Sequence, residues 1–216
     1  MRVRLLPAFC LLLAALITGC GTSPSQLTER SRPVITKQPV TFAQRSFDPA
    51  SPPPDMPPPT PGEAAACDSN FVSNATVAGK TRKIDSTHAT VTVAQIKVLL
   101  QLNIVIWVPH DVTPHIVEHE LGHRQISEHF YQTADQLAER IAAAYIGKQF
   151  DISGADLNIE SNKVLQQVAA DITAEYNQQL NPAPAQNLYD QLTDHSRNDV
   201  PVQDAINQAL KTTAKL

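Results

Sequence analysis

A chain of 216 residues, 42% of them apolar and with a formal net charge of −4, is long enough for one folded domain with appendages. The acidic balance leaves no basic footprint and argues against nucleic acid as a partner. Seventeen prolines and only three cysteines point away from a disulfide-stapled scaffold.

Residues 1–19 read as a targeting segment. Arg2 and Arg4 give a positive start, Leu5 to Ile17 is apolar, and small residues follow. The run is too short, and too soon followed by polar residues, for a membrane span. Ile17-Thr18-Gly19-Cys20 resembles the lipobox of bacterial lipoproteins, in which the cysteine is lipidated and becomes the new N-terminus. That resemblance implies a lipoprotein signal peptide over 1–19 and a lipid on Cys20. Gly21 after it favours the outer membrane, with the protein facing the periplasm. Cys10 then leaves with the signal, and Cys67 has no partner within the chain.

Residues 20–62 carry no hydrophobic period and end in Ser51-Pro52-Pro53-Pro54-Asp55-Met56-Pro57-Pro58-Pro59-Thr60-Pro61. Such a composition favours extended polyproline-II backbone, so the segment is expected to be a stiff tether. The folded domain is expected over 63–216.

Within it, Thr76 to Gly79 and His88 to Val93 read as short strands, the second with β-branched Thr90, Val91, Thr92 and Val93. Ile96, Val98, Leu100, Leu102, Ile104 and Ile106 recur at every second position, which predicts strand, with a break placed around Gln101 to Asn103. Thr113-Pro114 is a helix start, and a helical pattern runs from there to Gly147. A second helix is expected over Ala155 to Leu180, stopped by Asn181-Pro182. A short helix and turn follow over Gln186 to His195, and a last amphipathic helix over Pro201 to Lys211. Strands first and helices after give an α+β class with a small antiparallel sheet.

The chemistry sits in His119-Glu120-Leu121-Gly122-His123, which fits H-E-x-x-H. Residues four apart share one helical face, so both imidazoles can reach one ion, with Glu120 beside it as a general base. Five of the seven histidines fall between His110 and His129, more than a polar helix surface requires. His115-Ile116-Val117-Glu118-His119 also fits the inverted signature H-x-x-E-H, with Glu118 as its base. The two motifs share His119 and exclude one another; downstream residues favour His119 to His123.

A catalytic zinc takes three protein ligands and leaves a fourth position open. On a continuous helix His129 lies about 9 Å further along the axis than His123 and turned away from it, and Glu128 and Glu139 fail likewise. The third ligand must come from another segment, and His195, Asp190, Asp194, Glu160, Asp171 and Glu175 are the candidates.

The stretch from His119 to Glu128, with Tyr189-Asp190-Gln191-Leu192-Thr193-Asp194-His195-Ser196 and Gln203, resembles a family of bacterial secreted zinc-dependent proteases whose domain is catalogued as of unknown function. That family joins an HExxH helix to a Tyr-Asp-x-x-Thr-x-His-Gly segment and a later Gln. Ser196 stands where its glycine is usual. The resemblance covers about residues 70 to 210. It implies a zincin-like peptidase holding one Zn2+, with His195 as third ligand. Asp190 or Asp194 would then hold the other ring nitrogen of His195, and Tyr189 would face the substrate. The resulting expectation is a lipid-anchored zinc metalloprotease acting on a protein or peptide substrate. The alternative is an envelope lipoprotein that binds zinc or a protein without turnover.

Overall fold

The computed structural model describes residues 32–58 and 63–214. Cys20 and the signal segment lie outside them. Among the described residues the fold is a five-stranded sheet with three helices packed on one face and two further helices packed on the first of the three.

The elements follow in chain order. Strands β1 (Val34–Lys37), β2 (Thr41–Phe47), β3 (Ala66–Lys83) and β4 (His88–Pro109) precede helices α1 (Pro114–Gln132) and α2 (Ala134–Ala143). Strand β5 (Gln149–Ser153) then leads to α3 (Leu157–Gln179), α4 (Ala183–Thr193) and α5 (Val202–Thr213).

β4 is the spine of the sheet. β3 pairs with it antiparallel along nearly its whole length. Its other edge takes three short strands end to end: β5 against His88 to Thr92, β1 against Lys97 to Leu100, and β2 against Asn103 to Pro109. β5 is antiparallel to β4, whereas β1 and β2 run parallel to it. The sheet is therefore mixed, which corrects the expectation of a wholly antiparallel one.

The same two strands revise the tether. Val34–Lys37 and Thr41–Phe47 lie in the stretch expected to hold no structure, yet both join the sheet. Most of their side chains stay exposed, so they show no buried stripe for a sequence pattern to reveal. Pairing uses main-chain groups, and the free edge of β4 supplies them. Val34, Ile35, Thr36, Thr41 and Phe42 are of the types that extended backbone favours.

β4 is one continuous strand where His88 to Val93 and a run from Ile96, broken around Gln101 to Asn103, were expected apart, and its irregularity lies elsewhere. Ala89, Val91 and Val93 are buried at odd positions; Ile96, Val98, Leu100, Leu102, Ile104 and Ile106 are buried at even ones. The register against β3 shifts between Ala78 and Gly79, which pair with Gln95 and Val93. Ala94 is the extra residue of a β-bulge, and one added residue moves every following side chain to the opposite face.

The helices cover the apolar face. Tyr131 of α1, Ala138 and Ile141 of α2, and Val168, Ile172 and Tyr176 of α3 pack on Val93 to Ile104. The expected single helix to Gly147 is broken at Thr133, whose φ of −105° and ψ of 10° leave the helical region. Just before the break, the Tyr131 hydroxyl donates to the carbonyls of Gln38 and Leu100. α3 matches its expected span; the Asp156 carboxylate caps it by accepting from the Asn158 and Ile159 amides. α4 and α5 fold back on α1, where Ile126, Tyr189, Ala205, Ile206 and Ala209 form a second core. That packing lays α4 against the middle of α1.

Candidate metal centre

α1 supplies the first two donors. His119 is buried at 2% exposure and His123 is half-buried, and their Nε2 atoms lie 3.2 Å apart. Across the seam, Asp190 on α4 brings Oδ1 to 2.8 Å from His123 Nε2 and 3.3 Å from His119 Nε2. These distances are those of an ion pair, yet Asp190 Oδ1 is buried without a properly directed hydrogen bond among the described residues. The two imidazole nitrogens and Asp190 Oδ1 crowd one point, as atoms that share a cation do. The His119, His123 and Asp190 group can hold a metal ion.

The rings are fixed from behind. His123 Nδ1 meets Gln186 Oε1 at 2.6 Å, and the Gln186 amide nitrogen donates to the His123 carbonyl and to Ser127 Oγ, which sets the amide's orientation. Nδ1 must then carry a proton, which makes Nε2 the nitrogen able to offer a lone pair to a metal. Thr193 Oγ1 lies 3.3 Å from His119 Nδ1 and donates to the Tyr189 carbonyl, so it accepts from that ring and imposes the same tautomer.

Tyr189 is fully buried beneath the pair. Its ring stacks on His119 at 4.9 Å and meets His123 edge-on, and its hydroxyl donates to the His119 carbonyl. It is a platform for the rings and does not face the cleft, contrary to the expected substrate-facing role. Gly122 makes room for it: a Cβ there would stand 2.2 Å from the Tyr189 hydroxyl. The glycine of HELGH is required by α4, not by the helix that carries it.

Electrostatics follow burial. Burial pushes the Glu120 carboxyl up to about 7, with Glu63 and Asp190 adding to this against the pull of His123. Burial would also raise Asp190, but the two imidazoles outweigh it and hold its carboxyl well below the usual range. Burial lowers His119; for His123 the neighbouring Asp190 overcomes burial and raises it. Glu120, His123 and Asp190 line an open cleft of about 400 Å³ whose other walls include Glu63, Cys67 and Phe71. Burial also pushes the Cys67 thiol up to about 12, so it is not a nucleophile there.

The other sequence candidates separate. Glu118 is exposed and the His115 ring meets the Asn198 carbonyl at 3.2 Å, so the inverted motif gathers no donors. His195 does not join His119 and His123. It forms a neighbouring group with Glu63 and Asp190, its Nδ1 2.5 Å from Glu63 Oε1. Asp190, expected as a support, stands at the third-donor position because α4 packs on α1 with Thr193 toward His119 and Gln186 toward Ser127, which sets Asp190 between the two rings. Asp194 is exposed and pairs with Arg197, not with His195. Asp194, His195 and Ser196 all have left-handed φ, of 46°, 52° and 62°. Ser196 occupies a conformation that glycine adopts without strain.

Glu63 and Gln186 had no signal in the sequence, since each meets its partner across 132 or 63 residues of chain. Thr193 lay within the quoted motif without a role. No protein-family model, curated protein or solved structure matches this chain. The resemblance to the secreted proteases therefore rests on the two motifs alone.

Proposed function

We propose that this chain is a zinc-dependent peptidase of zincin-like kind, anchored through a lipid on Cys20 in the bacterial envelope and acting on protein or peptide substrates. The observation that carries the reading is the meeting of His119, His123 and Asp190 beside a buried Glu120 on an open cleft. Donors on a tetrahedral zinc at 2.0–2.1 Å stand about 3.3 Å apart, close to the three separations here. Two neutral imidazoles and one carboxylate are a donor set that zinc accepts and that leaves an open position.

Bound zinc supplies a Lewis acid that acidifies a water molecule and polarises the scissile carbonyl. The protein does the rest. Gln186 and Thr193 hold the two rings in the tautomer that offers Nε2. Glu120, with a pKa near neutrality, takes a proton from the attacking water and can return it to the departing amine. Phe71 and Cys67 line the cleft of about 400 Å³ beside these groups.

Zinc content and hydrolysis of a broad peptide library test this. Wild type is expected to bind zinc and cleave, and Glu120→Gln to keep zinc while losing activity by about 10² to 10⁴. His123→Ala is expected to lose zinc from this site and His115→Ala to keep it. Cleavage that survives Glu120→Gln overturns the assigned base. Zinc without any turnover leaves the non-catalytic zinc-binding lipoprotein. Mature protein with an unmodified Cys20 in its mass spectrum removes the anchor from the proposal.

A further inference from the structure

Beside the first donors, and sharing Asp190 with them, lies a second group. Ligand atoms of Glu63, Asp190 and His195 all fall within 4.8 Å of one another. One imidazole and two carboxylates from two segments converge here, and Glu63 and Asp190 line the cleft that also holds Glu120 and His123.

The convergence is built. Glu63 enters from the segment before β3, and its side chain is only 11% exposed. A carboxylate so far removed from water needs a cationic or hydrogen-bonding partner. His195 is turned toward it by three successive left-handed residues, and the His195 amide donates to the Asp190 carbonyl at 3.0 Å. Such backbone persists only where its surroundings hold it. Without that turn the chain leaving α4 would carry His195 away from Asp190.

The carboxyl groups of Glu63 and Asp190 both line the cleft. Asp190 Oδ1 faces the two α1 histidines, and a carboxylate has a second oxygen with which to serve another ion. Bridging carboxylates of this kind hold the ions of two-metal hydrolases about 3.5–4 Å apart.

We propose that Glu63, Asp190 and His195 form a second divalent-cation site, bridged to the first by Asp190, so that the cleft holds a two-metal centre. It rests on the reading of the first site as a metal centre. Nitrogen and carboxylate donors suit zinc, cobalt or manganese. On binding, the ion replaces the hydrogen bond between His195 and Glu63, and any proton on the imidazole is released. No electron transfer is involved. The second ion would steady the oxygen that develops negative charge opposite Glu120.

Metal stoichiometry decides it. The full chain in detergent is loaded with zinc, and separately with cobalt(II), and metal per chain is measured after removal of loose ions. Circular dichroism checks that each variant is folded. Two ions per wild-type chain are expected, with a spin-coupled signal in the dicobalt form. His195→Ala and Glu63→Gln should each bind one ion and lose the coupling. One ion in wild type that persists in His195→Ala overturns the second site and leaves the first intact; Glu63 and His195 are then an ion pair only. One ion in wild type and none in His195→Ala also overturns it, making His195 a ligand of a single ion. Two ions that survive both substitutions refute the assigned ligands. No ion in wild type removes the first site as well, so the failures are distinguishable.

Discussion

Helix α1 belongs to two regions that are held together in opposite ways. Its C-terminal end, through Tyr131, joins an apolar core in which Leu100, Leu102 and Ile104 of β4 meet α2 and α3. Its middle, from His119 to Ser127, faces α4 across a seam where buried His119, Glu120, Ser127 and Thr193 lie beside the apolar Ile126, Ala185 and Tyr189. Burial stabilises the first region in proportion to area and tolerates exchange among side chains of similar volume. In the second it penalises each charged group, and only particular partners at particular distances offset the penalty. The candidate chemistry lies in the seam because it brings together a buried carboxyl with a pKa near 7 and imidazoles of fixed tautomer.

The contrast can be broken at either side. Leu100→Ala removes a fully buried side chain and should cost about 2–5 kcal/mol in a denaturant titration, with zinc content of the folded fraction unchanged. Chelating the metal should act on the other side. At a free concentration a thousandfold above Kd, bound metal adds about 4 kcal/mol, seen as a fall in melting temperature on chelation. If the regions are independent the two losses add, and a coupling well above about 0.5 kcal/mol would show that they are not.

A smaller effect reports on Glu120 in metal-free protein. Its carboxyl titrates near 7 when folded and at 4.5 ordinarily, so the folded state keeps the proton longer. Stability present below pH 4.5 is therefore lost as pH rises to 7. Glu120→Gln cannot ionise, and its stability relative to wild type should rise by about 3 kcal/mol across that interval. A difference that does not change with pH would show that burial at Glu120 is not the main penalty in the seam.

Gly122→Ala tests the fit of α4 on α1. The added Cβ displaces the Tyr189 ring, so about 1–3 kcal/mol should be lost, together with weaker zinc binding. Stability lost without any change in metal affinity would separate the platform from the donors it supports. The smallest effect is at Cys67 on the cleft wall, where a thiol pushed up to about 12 should react with iodoacetamide at pH 8 far more slowly than a free cysteine.

By itself the sequence determined what lies within single elements. His119, Glu120 and His123 share a face because helical period is a local property, and the start of α1 at Thr113-Pro114 and the span of α3 follow from caps and spacing. The alternation of Ile96 to Ile106 identified the buried face of β4 by the same kind of local rule. Tertiary structure decided what meets across elements. β1 and β2 join the sheet by main-chain bonds that leave no apolar pattern, and the bulge at Ala94 shifts the buried face without changing the strand's composition. Asp190 and His195 lie five residues apart in one motif, and both are of ligand type. Only the packing of α4 on Gly122, and the left-handed turn after it, directs Asp190 to the α1 histidines and His195 to Glu63.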